Sequence, residues 1–178
     1  MKVAILVLTV LAALVAFTSC DQKKARQTTT DVKETVPDHP GTKPEKPKEV
    51  YQMVGYQKTA CYGKCPVYQV KLYNDGTAIW EGKRFVDRMG EYKAKVSKAT
   101  LDAIKQKAYD VGYFDFYEKY PVKHRVADLP STITYMRVGD VVKSVNNTHE
   151  GPEKLAEFEK YLEEVIAKIE WVKVPTDK

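Results

Sequence analysis

The amino-acid sequence predicts an α+β fold in which an antiparallel sheet of about six strands carries two amphipathic helices on one face. Three observations lead to this expectation. Apolar and polar residues alternate with a period of two in several short segments, which is typical of half-buried strands. Two longer segments repeat their apolar residues at helical spacing. The segments follow one another as four strands, a helix, two strands and a helix.

The first four strands are predicted before the first helix. Alternation is clearest in the second of them, where Tyr68, Val70 and Leu72 face one way and Gln69 and Lys71 face the other. An Asn-Asp-Gly sequence follows and favours a hairpin turn, because Asp-Gly tolerates positive φ angles. The predicted strands are 51–60, 66–73, 77–86 and 90–96.

Both helices are predicted from an apolar stripe with charged residues opposite it. Ser97 is suited to be the N-cap of the first helix, and Gly112 is suited to end it. Gly151 and Pro152 open the second helix. The apolar positions are Leu101, Ile104, Ala108 and Val111 in the first helix and Leu155, Phe158, Leu162, Val165, Ile166 and Ile169 in the second.

Between the helices, residues 113–130 form an aromatic connection with two prolines. Residues 131–138 and 141–145 flank Gly139-Asp140 and are predicted to form a second hairpin. If both helices lie on one face of the sheet, the other face is rich in Tyr and Lys. We expect that face to be either solvated or a binding surface.

The N-terminus is typical of a secretory signal. Lys2 is followed by a run from Val3 to Phe17 that is apolar apart from Thr9 and too short to span a bilayer. The small residues Thr18 and Ser19 then precede Cys20, as in a bacterial lipobox. We therefore expect residues 1–19 to be a lipoprotein signal peptide and Cys20 to be lipidated. The alternative is an ordinary signal peptide cut nearby.

A tether is predicted between Cys20 and the folded domain. Residues 21–50 contain no Phe, Trp or Tyr, and their prolines cluster in the second half. Such a segment cannot bury enough apolar surface to offset the entropy lost on ordering. We expect residues 20–50 to be a disordered tether with a span on the order of 30 Å. A single domain should occupy residues 51–174.

The net charge of +5 does not indicate nucleic-acid binding, because acidic residues are interspersed among the basic ones and the expected compartment is extracytoplasmic. One denser basic stretch, residues 82–98, could instead bind an anionic partner such as lipid headgroups or a polyanionic glycan. Most of its lysines are expected to form the solvated face of strands.

Cys61 and Cys65, the two cysteines other than Cys20, have three residues between them and precede Pro66. In an oxidising compartment they are expected to form a structural disulfide, since Gly63 gives the intervening turn its freedom. A thiol-redox pair is the first alternative, but it is usually spaced as Cys-x-x-Cys at a helix N-terminus. The second is a copper site made by Cys61, Cys65 and His124, or His149 in place of His124. Both alternatives lack the helix that should follow the motif.

The motif around Cys61, TACYGKCPVYQVKLYNDG, resembles the Cys-Phe/Tyr-Gly-x-Cys-Pro-x-Tyr signature of a domain family of Gram-negative exported proteins and lipoproteins, the domain of unknown function 6438 type. Gly-x-Tyr at 90–92, GYFDF after the first helix, Ala-Asp-x-Pro at 127–130 and Pro-x-x-Leu in the last helix are similar as well. The resemblance covers nearly all of residues 51–171. It implies the fold and the exported location, and it implies no reaction.

The functional expectation is a lipid-anchored binding or structural module of the cell envelope. The sequence contains no serine-hydrolase elbow, zinc-protease motif, P-loop or dinucleotide-binding turn, so we expect no enzymatic activity and no cofactor. The expected partners are a membrane, reached through the lipid, and an envelope protein or glycan. The expected location is the outer membrane, facing the periplasm. The alternative function is a periplasmic thiol-redox or copper-handling protein using Cys61 and Cys65.

Overall fold

The structure is a computed structural model that describes residues 49–124 and 127–175. It contains eight strands, two α-helices and a short 3-10 turn at Tyr113–Asp115. The strands are β1 (Gln52–Lys58), β2 (Val67–Tyr73), β3 (Thr77–Arg84), β4 (Gly90–Lys95), β5 (Lys119–Tyr120), β6 (Thr132–Val138), β7 (Val141–Asn147) and β8 (Val172–Lys173). The helices are α1 (Lys98–Asp110) and α2 (Glu153–Ala167).

All eight strands belong to one sheet with the order β5-β7-β6-β1-β2-β3-β4-β8. Every neighbouring pair is antiparallel except β5 and β7, which run parallel. The predicted α+β class is therefore confirmed. The expected count of about six strands was too low, because β5 and β8 at the two edges have two residues each and cannot display an alternating pattern.

The turn between β2 and β3 forms as its sequence predicts. Gly76 has a φ of +83°, a conformation that suits glycine. The side chain of Asp75 accepts hydrogen bonds from the backbone N–H of Thr77 at 2.9 Å and from its hydroxyl at 2.8 Å. A Cβ at Gly76 would also lie 2.6 Å from the carbonyl oxygen of Val96, so the turn packs closely against the segment that follows β4.

Helix α1 begins and ends at the residues that its sequence indicates. The hydroxyl oxygen of Ser97 accepts a hydrogen bond from the backbone N–H of Thr100 at 3.1 Å, which satisfies one free donor of the first turn. Gly112 follows the helix with a φ of +70°, in the left-handed region that often ends helices. Leu101, Ile104 and Ala108 are buried.

Helix α2 buries Leu155, Phe158, Leu162 and Ile166, four of the six apolar positions expected to face the sheet. The other two, Val165 and Ile169, are half-buried against the same core. These helical residues form one continuous hydrophobic core with residues from six strands. The strand residues are Met53, Val54, Tyr56, Val70, Leu72, Ala78, Trp80, Tyr120, Met136 and Val145.

Candidate functional site

The register of the sheet separates its residues into two faces. Val54 lies opposite both Leu72 and Met136, and Tyr56 lies opposite Val70. These residues all belong to the core that the two helices complete. The residues between them in sequence point to the other side of the sheet. Helix packing on one side thus leaves the second side without a helical cover.

The helix-free side of the central strands carries aromatic, aliphatic and long polar side chains. Along its middle row, Tyr135 lies opposite Gly55, Gly55 opposite Lys71, and Lys71 opposite Ile79. All but the glycine are half-buried, which means that they pack against one another and still reach solvent. We call this surface the open face and define it by Gln57, Gln69, Lys71, Tyr73, Ile79, Ile133 and Tyr135.

Gly55 lies at the centre of the open face, where its neighbours leave no room for a side chain. A Cβ at this position would lie 2.7 Å from Nε2 of Gln52 and 2.9 Å from Cβ of Tyr135. Because Gly55 has no side chain, Gln52 and Tyr135 can lie directly over the backbone of β1. The centre of the open face is therefore a shallow dip, flanked by the amide of Gln52 and the phenol ring of Tyr135.

A shallow depression lies beside this centre and is bounded by two carboxylates. Glu81 on β3 lies directly opposite Glu91 on β4, an arrangement of like charges that destabilises a sheet when it is uncompensated. Each carboxylate has a lysine of its own strand nearby, with Lys83 Nζ at 3.4 Å and Lys93 Nζ at 3.3 Å. The remaining lining residues of the depression are Gln69, Lys71, Tyr73 and Ile79.

Cys61 and Cys65 are joined by a disulfide in the turn between β1 and β2, as the sequence predicts, with their Cα atoms 5.8 Å apart. The backbone N–H of Gly63 donates to Sγ of Cys61 at 3.2 Å. The N–H of Tyr62 donates to the carbonyl oxygen of Asp128 at 3.2 Å, which ties the turn to the loop before β6. In this state neither sulfur is a thiolate that could bind copper.

His124 does not approach the cysteines as the copper alternative requires. It lies beside His149 and Glu150, and among the described residues this group of possible metal ligands contains no cysteine. The two histidine rings have their centroids 5.9 Å apart. The structure thus brings together the two histidines that the sequence had offered as alternatives to each other.

On the helix-covered side, a polar cluster joins α2 to the sheet. The hydroxyl of Tyr56 donates to Oε1 of Glu163 at 2.6 Å, and Nζ of Lys58 lies 2.8 Å from the same oxygen. Nζ of Lys58 also donates to Oγ1 of Thr132 at 3.0 Å. These contacts bind the C-terminal half of α2 to β1 and β6.

The pKa values of the cluster follow from burial and from these hydrogen bonds. Burial raises the pKa of Tyr56 far above its usual value, and donation to Glu163 raises it further. Burial disfavours the charged form of Glu163, but hydrogen bonds from Lys58 and Tyr56 outweigh it and lower the pKa of that carboxyl. Burial raises the pKa of Tyr68 to about 12. Glu163 is therefore ionised and Tyr56 is a neutral donor at neutral pH.

Glu159 is one turn before Glu163 on α2, and its pKa shifts in the opposite direction. Burial raises its pKa to about 7, although hydrogen bonding to Asn147 and the charge of Lys58 act against the rise. Nδ2 of Asn147 lies 3.0 and 3.2 Å from the two carboxyl oxygens. The burial of Glu159 against β7 accounts for this shift.

Sequence reasoning missed the polar cluster. Glu159 and Glu163 border the apolar stripe of α2, whereas the charges of an amphipathic helix are expected opposite it. Their spacing of four residues, one position away from Phe158 and Leu162, places both at the edge of the buried face. That spacing was the one available signal.

The predictions of a signal peptide and of lipidation at Cys20 lie outside the described ranges, as does nearly all of the predicted tether. Cys20 and nearly all of the tether belong to residues 1–48. Within residues 49–124 and 127–175, no helix is long and apolar enough to cross a membrane.

Comparison with known families identifies a domain family that matches the chain. A family model described as "Domain of unknown function (DUF6438)" matches residues 52–166, well over half of the chain. The matched range runs from the start of β1 almost to the end of α2. No curated protein matches the chain.

Proposed function

The chain belongs to the DUF6438 family, as its motifs indicated, and since that family's description assigns no activity, we propose a function from the geometry. The protein is a binding module of the bacterial cell envelope. Lipid on Cys20 holds it to a membrane, and the open face binds an envelope protein or a glycan.

The composition of the open face carries this proposal. A sheet face that only meets water is usually polar, in contrast to its core face. Here Tyr73, Ile79, Ile133 and Tyr135 occupy half-buried positions on the side away from the helices. Tyrosine is enriched at protein interfaces, because it offers a large apolar body with a polar tip. The face has the mixture of rings and polar groups that a non-obligate interface uses.

The lipid anchor is supported by the residues around Cys20. A single acyl chain binds membranes only marginally, whereas the several chains of a bacterial lipoprotein hold firmly. With Cys20 lipidated, residues 21–50 would let the domain move over a radius on the order of 30 Å. We propose the outer membrane, facing the periplasm, as the location. Nucleic acid is not among the proposed partners.

We propose binding and not catalysis because the buried carboxyl groups with shifted pKa values already have structural partners. The most perturbed carboxyl, Glu159, is enclosed by α2 and β7 and accepts from Asn147. Glu163 is bound by Lys58 and Tyr56. Neither group lies on the open face, where a bound partner would be found.

Site-specific photo-crosslinking in living cells tests the proposal. A photoreactive residue at Gln69 on the open face should capture one partner. The same residue at Glu164, exposed on α2, is the matched control. A discrete band indicates a protein partner, and a ladder that collapses under muramidase indicates a glycan.

Lys71→Glu provides the specificity control, since Lys71 lies in the middle row of the open face. It should weaken capture at Gln69 by about fivefold or more, corresponding to about 1 kcal/mol of binding free energy. Equal crosslinking at Gln69 and Glu164 would show that the open face is not the binding surface. Crosslinking at Gln69 that is unchanged by Lys71→Glu would show the same.

A further inference from the structure

His124 and His149 are the two histidines of the described residues, and the fold brings them to one place. The parallel pairing of β5 with β7 is responsible. The N–H of Asn146 donates to the carbonyl oxygen of Glu118 at 2.9 Å, and the N–H of Thr148 donates to that of Tyr120 at 3.0 Å. The chain leaves both strands in the same direction, so residues just after Tyr120 and just after Asn147 are neighbours.

The side chains of these histidines converge on a carboxylate. Nδ1 of His149 lies 3.4 Å from Oε1 of Glu150, and Nε2 of His124 lies 3.8 Å from the same oxygen. The three candidate ligand atoms all lie within 4.8 Å of one another. Two ligands of a tetrahedral zinc ion are separated by about 3.4 Å, given metal–ligand distances near 2.1 Å. Small side-chain adjustments would therefore let all three reach one ion.

The backbone of Glu150 supplies a second, independent observation. Glu150 has a φ of +61°, in the left-handed region that side-chain-bearing residues rarely adopt. Such a conformation costs stability and is found preferentially at functional sites. A glycine would relieve this strain, but it would remove the carboxylate that faces both histidines.

The two ring nitrogens of His149 have different surroundings. Nε2 is buried and has no hydrogen-bond partner among the described residues. Nδ1, which faces Glu150, is therefore the nitrogen that can reach a cation.

We propose that His124, His149 and Glu150 form a binding site for one divalent transition-metal cation, with zinc as the ion that fits best. Two imidazoles and one carboxylate are an established ligand set for zinc, and they leave the fourth tetrahedral position open. Next to the site is a depression lined by Tyr120, Pro121, Val122 and Lys123. A water molecule or a small anionic ligand can approach the fourth position from there.

Zinc titration of the full, oxidised chain in detergent tests the proposal by calorimetry. One equivalent of zinc should bind and should raise the melting temperature, because a ligand that binds the folded state stabilises it. His124→Gln, His149→Gln and Glu150→Gln should each weaken binding by more than about tenfold, the lower end of the loss seen when only a supporting residue is removed.

His39→Gln is the matched control, because His39 is the third histidine of the chain and is distant in sequence from the site. It should bind zinc as the unaltered protein does. Circular dichroism of each variant checks the fold, and the exposed side chains of His124 and Glu150 make misfolding of those two variants unexpected.

Three outcomes would overturn the site. The unaltered chain could fail to bind zinc, binding could survive in the His124→Gln/His149→Gln double variant, or it could depend on His39. Zinc that binds only after reduction and is lost in Cys61→Ser/Cys65→Ser would show that the thiols, and not the histidines, hold the metal.

Discussion

At the scale of single residues, Glu159 controls how stability depends on pH. Burial raises the pKa of its carboxyl to about 7 in the folded protein, whereas the unfolded chain ionises near the ordinary pKa of 4.5. Between these values the folded state holds a proton that the unfolded state has released. Stability from this group is therefore fully present below the lower value and is lost as the pH rises through the upper one.

Glu159→Gln should remove this dependence. We expect the variant to exceed the unaltered protein in free energy of unfolding only slightly at pH 5, just above the lower value, and by much more at pH 8. Urea unfolding at both values measures the difference. Glu164→Gln removes the same charge from an exposed position of α2 and should change the free energy of unfolding equally at the two pH values. A Glu159→Gln variant that is no more stable at pH 8 than at pH 5, relative to the unaltered protein, would contradict the burial argument.

The histidine pair illustrates what single residues do not disclose in a sequence. His124 and His149 each lie in a loop and are 25 positions apart, so no periodicity relates them. Their approach depends on a two-residue parallel pairing, which carries no sequence pattern of its own. The cysteines, by contrast, are close in sequence with a glycine between them, and this spacing together with the export signal was enough to predict their disulfide.

At the scale of elements, the disulfide turn fixes the junction of β1 and β2. We expect the Cys61→Ser/Cys65→Ser double variant to lose about 2 kcal/mol of unfolding free energy, because the cross-link restricts the unfolded chain. The variant should still fold, since the core and the pairing of β1 with β6 do not depend on the sulfurs. Urea unfolding measures the loss.

Chemical reduction of the unaltered protein is the control for that measurement. It should lower stability by the same amount without any change of sequence. A double variant that fails to fold, or one as stable as the oxidised protein, would each show that the turn has a role other than a modest conformational restraint.

The long elements were predictable, and the short ones were not. β2 alternates over seven residues, and α1 has both a Ser97 cap and a Gly112 stop, so local sequence defines them. β5 and β8 form because short segments of the chain pair with the edges of β7 and β4, respectively. Their positions are set by tertiary contacts, which leave no periodicity to read.

At the scale of the whole molecule, attachment to a membrane depends on one residue in our proposal. Cys20→Ser should move the protein from the membrane fraction to the soluble periplasm, because removal of the acyl chains eliminates the anchor. Cell fractionation with immunoblotting measures the distribution. The Cys61→Ser/Cys65→Ser variant is the matched control and should stay with the membrane. If Cys20→Ser were still retained there, the lipid proposal would fail.

The position of β1 has a consequence for how the chain is made. β1 precedes all other strands of the described fold along the chain, yet it lies between β2 and β6 in the sheet. Lys58 of β1 is separated by 74 residues in sequence from its hydrogen-bond partner Thr132. If the protein is exported as proposed, it folds only after it has crossed the membrane, and β1 emerges there before β6. During this interval one edge of β1, with Val54 and Tyr56, has no partner strand and can pair with other chains. A periplasmic holding chaperone would therefore give the emerging chain most protection between the emergence of β1 and that of β6.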